Sequence, residues 1–94
     1  MTGQFVTSRA GHDKGTLYVV MAEEGDFVYL SDGRLKHPDK PKKKRRKHIQ
    51  LINAQVEEPL KTKLFAGDVV RSEEIRYAIK LFEGNCEENR TGKR

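Results

Sequence analysis

The chain is 94 residues long, carries a formal charge of +5 and is 35% hydrophobic. A chain of this length forms one small domain with a thin core, which disfavours an enzyme with a deep pocket. Its single cysteine, Cys86, cannot form an internal disulfide. The start of the sequence lacks a signal-peptide pattern, and no run approaches the roughly 18 apolar residues that span a bilayer. We therefore expect a cytoplasmic protein that does not enter a membrane.

The first half of the sequence has the patterns of β-strands. Residues 4–8 form a short apolar segment, and residues 16–22 (TLYVVMA) are rich in β-branched and aromatic residues. The second segment is apolar at both odd and even positions, so both of its faces are expected to be covered, as in a small barrel. A third strand is predicted over 27–30. Asp32-Gly33 after it predicts a type I′ hairpin turn that reverses the chain at Gly33.

A thirteen-residue stretch, 36–48 (KHPDKPKKKRRKH), dominates the charge of the chain. It contains eight of the nineteen Lys and Arg residues and a single acid, Asp39. Such a run attracts polyanions, and nucleic-acid phosphates exert the strongest pull through counterion release. A solvated disordered segment, a nuclear localisation signal and a patch for anionic lipid are alternatives. Its position between two strand-like segments favours a loop presented by a fold, and repulsion within 42–47 predicts a mobile loop until a polyanion binds.

The second half changes from a strand pattern to a helix pattern. Residues 48–52 (HIQLI) alternate and predict a closing strand, and residues 59–67 predict a short helix that begins with a proline and stops at a glycine. A second helix is predicted from Ser72 as N-cap to Gly84, with an apolar stripe that must dock on the strands. We predict a barrel over 1–55, a helical extension packed on it over 56–84, and a disordered tail over 85–94.

The loop between the first two strands carries a resemblance to a known family. Gly11 and Gly15 permit backbone angles that other residues resist, and Lys14 points a cation outward. With its flanks, VTSRAGHDKGTLYVV resembles a KOW motif. The later DGR and PKKK segments extend the resemblance, over about 4–51, to the KOW proteins of the large ribosomal subunit of archaea and eukaryotes and to their stand-alone bacterial relatives. One departure is His12, where relatives often carry Arg.

The resemblance implies a mainly β fold, a small SH3-like barrel of four or five antiparallel strands with a short C-terminal helical extension. It also implies a monomeric, ribosome-associated RNA-binding protein, with large-subunit ribosomal RNA as the expected partner and ribosomal proteins as further ones. The loop 9–15 and the basic loop 36–48 are expected to form a clamp on RNA phosphates, with Arg34 between them. The expected RNA-binding residues are Arg9, Gly11, His12, Lys14, Gly15, Arg34, Lys36, Lys40, Lys42, Lys43, Lys44, Arg45, Arg46, Lys47 and His48.

Among these residues the three arginines 34, 45 and 46 suit bidentate phosphate contacts or stacking, whereas the lysines act as point charges.

The alternative function is that of a KOW or SH3-like module that binds a protein of the transcription or translation machinery. No enzyme, cofactor or metal site is predicted, because the three histidines lack the spacing of a zinc site and no nucleophile has an identifiable base and oxyanion donor.

Overall fold

The computed structural model describes the backbone of residues 1–91 and the side chains of residues 1–84. Residues 1–91 form five strands, one 3-10 turn and two helices. Their bounds are β1 (Gln4–Ser8), β2 (Leu17–Glu24), β3 (Phe27–Ser31), β4 (Lys42–Arg45), the 3-10 turn (Arg46–His48), β5 (Ile49–Gln55), α1 (Leu60–Ala66) and α2 (Ser72–Thr91). Neither helix, within the described residues, is both long and apolar enough to cross a bilayer.

All five strands belong to one antiparallel sheet in the order β4-β3-β2-β1-β5. The two edge strands, β4 and β5, follow each other in the chain and are joined only by the 3-10 turn. The sheet must therefore curve until its edges approach each other. This confirms the predicted fold class, a small barrel-like β domain with a C-terminal helical extension.

Two apolar cores lie on the two faces of the sheet. Tyr18 and Val20 of β2 belong to a cluster formed, in the described part of the chain, by strand residues together with Met1. Val19 points the other way and packs with residues of both helices, including Leu60 and Ile75. The alternation along β2 therefore serves both cores, because successive side chains of a strand point to opposite faces. The expectation that both faces are covered is confirmed.

The helices follow the signals in the sequence except at one end. Gly67, with φ +75° and ψ 21°, ends α1, and its N–H donates to the Leu64 carbonyl at 3.3 Å. The stripe of α2 docks on the sheet, where Phe82 stacks on Phe5 with ring centroids 4.6 Å apart. However, α2 continues through Gly84, its predicted end, to Thr91. A helical glycine costs only about 1 kcal/mol relative to alanine, so without a following proline it does not end a helix.

Residues 85–94 are predicted from the sequence to be a disordered tail. In the structure, residues 85–91 of this segment belong to α2, and residues 92–94 lie outside the described residues.

The predicted two-residue hairpin at Asp32-Gly33 is wrong. Gly33 does have positive φ, +73°, but β4 begins only at Lys42. The Asp32 carboxylate accepts the backbone N–H groups of Arg34 and Lys36, each at 2.9 Å, which closes a compact local loop instead of a hairpin. The tight hairpin of this sheet is the earlier one, where two residues, Gly25 and Asp26, join β2 to β3.

Candidate nucleic-acid interface

The loop between β1 and β2 is closed by its own backbone hydrogen bonds. The Gly15 N–H donates to the Ser8 carbonyl at 2.8 Å, and the Thr16 N–H donates to the Asp13 carbonyl at 2.9 Å. Gly11 and Gly15 both have φ +89°. A Cβ at Gly15 would meet no atom within 4 Å. The conformation therefore requires glycine there while the space above it stays open, so another molecule can approach the backbone closely.

Asp13 ties this loop to the strands on either side of it. One carboxylate oxygen accepts from the Ser8 hydroxyl at 2.9 Å and from Lys44 Nζ at 3.2 Å. The other accepts from the Tyr18 hydroxyl at 2.8 Å and lies 3.1 Å from Lys42 Nζ. Four donors thus converge on one carboxylate whose side chain is only 14% exposed. Such a fully satisfied network fixes the shape of the loop.

The contacts of Asp13 also fix its protonation state. Burial on its own raises the pKa of this carboxyl, but the hydrogen bonds from Tyr18 and Ser8 and those from the two lysines lower it more, so the pKa lies well below its usual range. Desolvation and the hydrogen bond to Asp13 raise the pKa of the Tyr18 hydroxyl. Near neutral pH, Asp13 is therefore a carboxylate and Tyr18 a hydroxyl donor.

The expectation of a mobile basic loop is wrong for residues 42–45, which form β4 and pair with β3 from Leu30↔Lys42 to Phe27↔Arg45. Successive strand side chains point to opposite faces, which separates neighbouring cations. Carboxylates distant in the sequence then offset their charge. As an edge strand made of cations, β4 also resists pairing with another chain.

The two faces of β4 have different surroundings. Lys42 and Lys44 point toward Asp13 and are largely covered. Lys43 and Arg45 lie over the ring of Phe27, with Nζ 4.4 Å and the guanidinium carbon 5.2 Å from its centroid. Both are exposed, so a cation–π contact holds them extended while their charge stays accessible to a ligand.

Arg46 is turned away toward the β2–β3 hairpin. It donates to the Glu23 carboxylate at 2.6 Å and to the Gly25 carbonyl at 2.8 Å. Hydrogen bonds from the N-terminal ammonium group and from Arg46 lower the pKa of Glu23 to about 2. Arg45 also has an acidic partner, Asp26, at 3.5 Å, but this pair is largely exposed. Arg45 is therefore the more available of the two arginines for a phosphate.

The loop 9–15 and the basic segment contact each other directly. Lys44 Nζ donates to the Ala10 carbonyl at 3.1 Å, and the Arg9 N–H donates to the His48 carbonyl at 2.8 Å. Several predicted residues form no ion pair among the described residues and carry exposed side chains: Arg9, His12, Lys14, Lys40 and Lys47. Lys36 is half-buried, and its carbonyl accepts from the Ser31 hydroxyl.

Arg34, which is expected between the two segments, is exposed and lines a cleft with Thr16 and with Arg76 and Lys80 of α2. Arg76 donates to the Gly33 carbonyl at 2.6 Å, which fixes α2 against this loop. Sequence reasoning missed these two helical cations, although their i, i+4 spacing puts them on one face of a helix. It also missed the central place of Asp13, because all four of its donors are five or more residues away, on three different strands.

The fold and the site together define a class, a small barrel-like β domain with a cationic surface built from one loop and one edge strand. Comparison with models of known protein families gave no match, and no curated protein matches the sequence significantly.

Proposed function

We propose that this protein is an RNA-binding, ribosome-associated protein of the KOW type that contacts the phosphates of structured RNA. The contacts come from the loop 9–15 and from the exposed cations of the 36–48 segment. One observation carries the proposal. The direct contact between that loop and β4, from Lys44 Nζ to the Ala10 carbonyl, joins the two segments that carry the exposed cations.

The accessible charge supports a polyanion as the ligand. Three carboxylates, those of Asp13, Asp26 and Glu23, offset about half of the six cations of 42–47. The remaining cations and those of the loop still give a strongly positive surface. Phosphate contacts of this kind position a nucleic acid without reading its sequence, and structured RNA is recognised largely by shape.

The choice of RNA over DNA and of the ribosome as the setting comes from the resemblance to KOW proteins. Its test is cosedimentation of the protein with the large ribosomal subunit in cell extracts, together with crosslinking that identifies the bound RNA. Enrichment of large-subunit ribosomal RNA at residues 9–15 and 42–48 supports the proposal. Crosslinks spread evenly over cellular RNAs, or to DNA, contradict the ribosomal part.

The binding test measures affinity for a large-subunit ribosomal RNA fragment against salt concentration. Four or five phosphate contacts give a log-log slope of about −3 to −4. The double change Lys43→Ser and Lys47→Ser is expected to reduce that slope by about 1.5, because each lost contact removes one released counterion. Lys42 and Lys44 are left in place, since their removal also affects Asp13.

The matched control is Lys61→Ser with Arg71→Ser, which removes the same charge from the helical part of the chain. It is expected to leave the slope within about 0.5 of the parent value, apart from a small effect of net charge. An equal loss of slope in both double variants means that binding follows net charge and not this surface, and the proposed interface is then wrong.

A further inference from the structure

A second surface, lined by none of the cations discussed above, lies between α2 and the segment that joins β5 to α1. It is a groove with a volume of about 400 Å³. The stacked rings of Phe5 and Phe82 form part of its lining. Tyr77 and Leu81, one helical turn apart on α2, stand at its side and are 64% and 39% exposed. Large apolar side chains left in contact with water beside a concave surface mark an interaction site.

The charge of this groove is opposite to that of the chain as a whole. Glu57, Glu58 and Glu74 line it, and no Lys or Arg does so among the described residues. Hydrogen bonds from Thr62 lower the pKa of Glu58, and a hydrogen bond from Lys63 lowers that of Glu74, so both are ionised near neutral pH. Lys63 offsets Glu74 at 2.6 Å, whereas Glu57 and Glu58 form no ion pair with any residue whose side chain the structure describes. The nearby charge of Lys61 contributes to the lowered pKa of Glu58.

We propose that this groove binds a basic segment of a partner protein. One aromatic or large aliphatic side chain of the segment enters between Phe5, Phe82 and Tyr77, and flanking Lys or Arg residues lie against the glutamates. The glutamates that line the groove repel nucleic acid and anionic lipid, because like charges oppose association. The groove shares no residue with the proposed RNA surface, so the two ligands do not compete for the same side chains.

A second copy of this chain is the rival occupant. Leu35 is 84% exposed between Arg34 and Lys36, which is an apolar side chain flanked by cations. Such a contact pairs two different surfaces of the chain and forms a ring, an open chain of molecules or, if reciprocal, a dimer. Lys36 is half-buried, so Leu35 brings one fully exposed cation, Arg34, to the glutamates, fewer than a basic segment supplies. We therefore commit to a different protein and treat self-association as an outcome of the test.

The experiment selects binders of the full chain from a random 12-residue peptide library. We expect enriched peptides that combine an aromatic or large aliphatic residue with two or more Lys or Arg. The double change Tyr77→Ser and Leu81→Ser alters two exposed positions and is expected to weaken their binding by about tenfold or more. Glu57→Lys is a second, independent test in an exposed loop, with an expected weakening of about threefold or more.

Mapping and controls decide the outcome. In NMR spectra, bound peptide is expected to shift the backbone amide signals of residues 54–60 and 74–82. As a control, the Tyr77→Ser, Leu81→Ser variant is expected to keep the parent affinity for ribosomal RNA. The proposal is overturned if no peptide is enriched, if the enriched peptides are acidic or bind the double variant equally, or if the shifts map to 9–15 and 42–48. Sedimentation that shows association abolished by Leu35→Ser replaces it with self-assembly. A failure of RNA binding leaves the peptide selection, the peptide affinities and the mapped shifts unaffected.

Discussion

The ammonium group of Lys44 lies 3.2 Å from the Asp13 carboxylate, and the Lys44 side chain is only 10% exposed. The same group donates to the Ala10 carbonyl at 3.1 Å. A lysine from a run that looks like free solvent-exposed charge is thus the link between β4 and the β1–β2 loop. Because the pair is largely covered, its loss leaves a charge without water or a counter-charge, which is much more costly than loss of an exposed pair.

Asp13→Asn is expected to lower the free energy of unfolding by about 2–4 kcal/mol, because it leaves Lys44 and Lys42 without their counter-charge. Urea unfolding at pH 7 measures the loss. The matched control is Asp26→Ala, which breaks the exposed pair with Arg45 and should cost about 0–1 kcal/mol. Equal losses in the two variants would show that the Asp13 cluster is not a buried network.

Acidification is expected to remove the contribution of Asp13. Its folded-state pKa is depressed, so the carboxylate stabilises the fold above its unfolded-state pKa of about 3.9, and that stabilisation is lost as the pH falls below this value. The difference in unfolding free energy between the parent and Asp13→Asn should therefore be constant from pH 7 to 5 and shrink from pH 4 to 3. Glu23 titrates in both proteins, so its contribution cancels in the difference between their unfolding free energies. A difference that does not change down to pH 3 contradicts this assignment.

Gly33→Ala is expected to destabilise the domain by about 3 kcal/mol or more, through both positive φ and overpacking. A Cβ at this position would lie 2.6 Å from the Ser72 carbonyl oxygen at the start of α2. Gly25→Ala is the control, since Gly25 has φ +59° but no atom within 4 Å of an added Cβ. The Gly25→Ala change should lower the free energy of unfolding by only about 1–2 kcal/mol. Thermal melts of the two variants test whether α2 packs on this loop as described.

Gly15→Ala tests the open backbone of the β1–β2 loop in RNA binding. Like Gly25, Gly15 has positive φ and no neighbour within 4 Å of an added Cβ, so the two alanine variants should lose similar stability, about 1–2 kcal/mol. Only Gly15→Ala should also weaken binding of the ribosomal RNA fragment, by about fivefold or more, because a methyl group stands where the RNA backbone approaches. Equal affinities of the two variants would show that this loop does not contact the RNA.

Much of the fold was predictable because its signals are local. β-Branched and aromatic residues indicate the first strands, alternation indicates the closing strand at 48–52, and Gly67 and Ser72 mark one helix end and the next helix start. The errors have one origin. Adjacent residues alone predict a hairpin at Asp32-Gly33 and a helix stop at Gly84, but Gly33 lies against Ser72 and Arg76 of α2, and α2 continues past Gly84.

A dense cationic segment and a glycine-containing loop can be recognised in the amino-acid sequence, because charge and backbone freedom are properties of single residues. Which of the cations are available to a ligand depends on the folded chain. Lys42, Lys44 and Arg46 are held by carboxylates from other parts of the chain, whereas Lys43 and Lys47 remain exposed. Pairing of β4 with β3 separates Lys42 and Lys44 from Lys43, because a strand directs alternate side chains to opposite faces and Asp13 lies on only one of them. In the 3-10 turn, Arg46 reaches Glu23 of β2, whereas Lys47 forms no ion pair among the described residues.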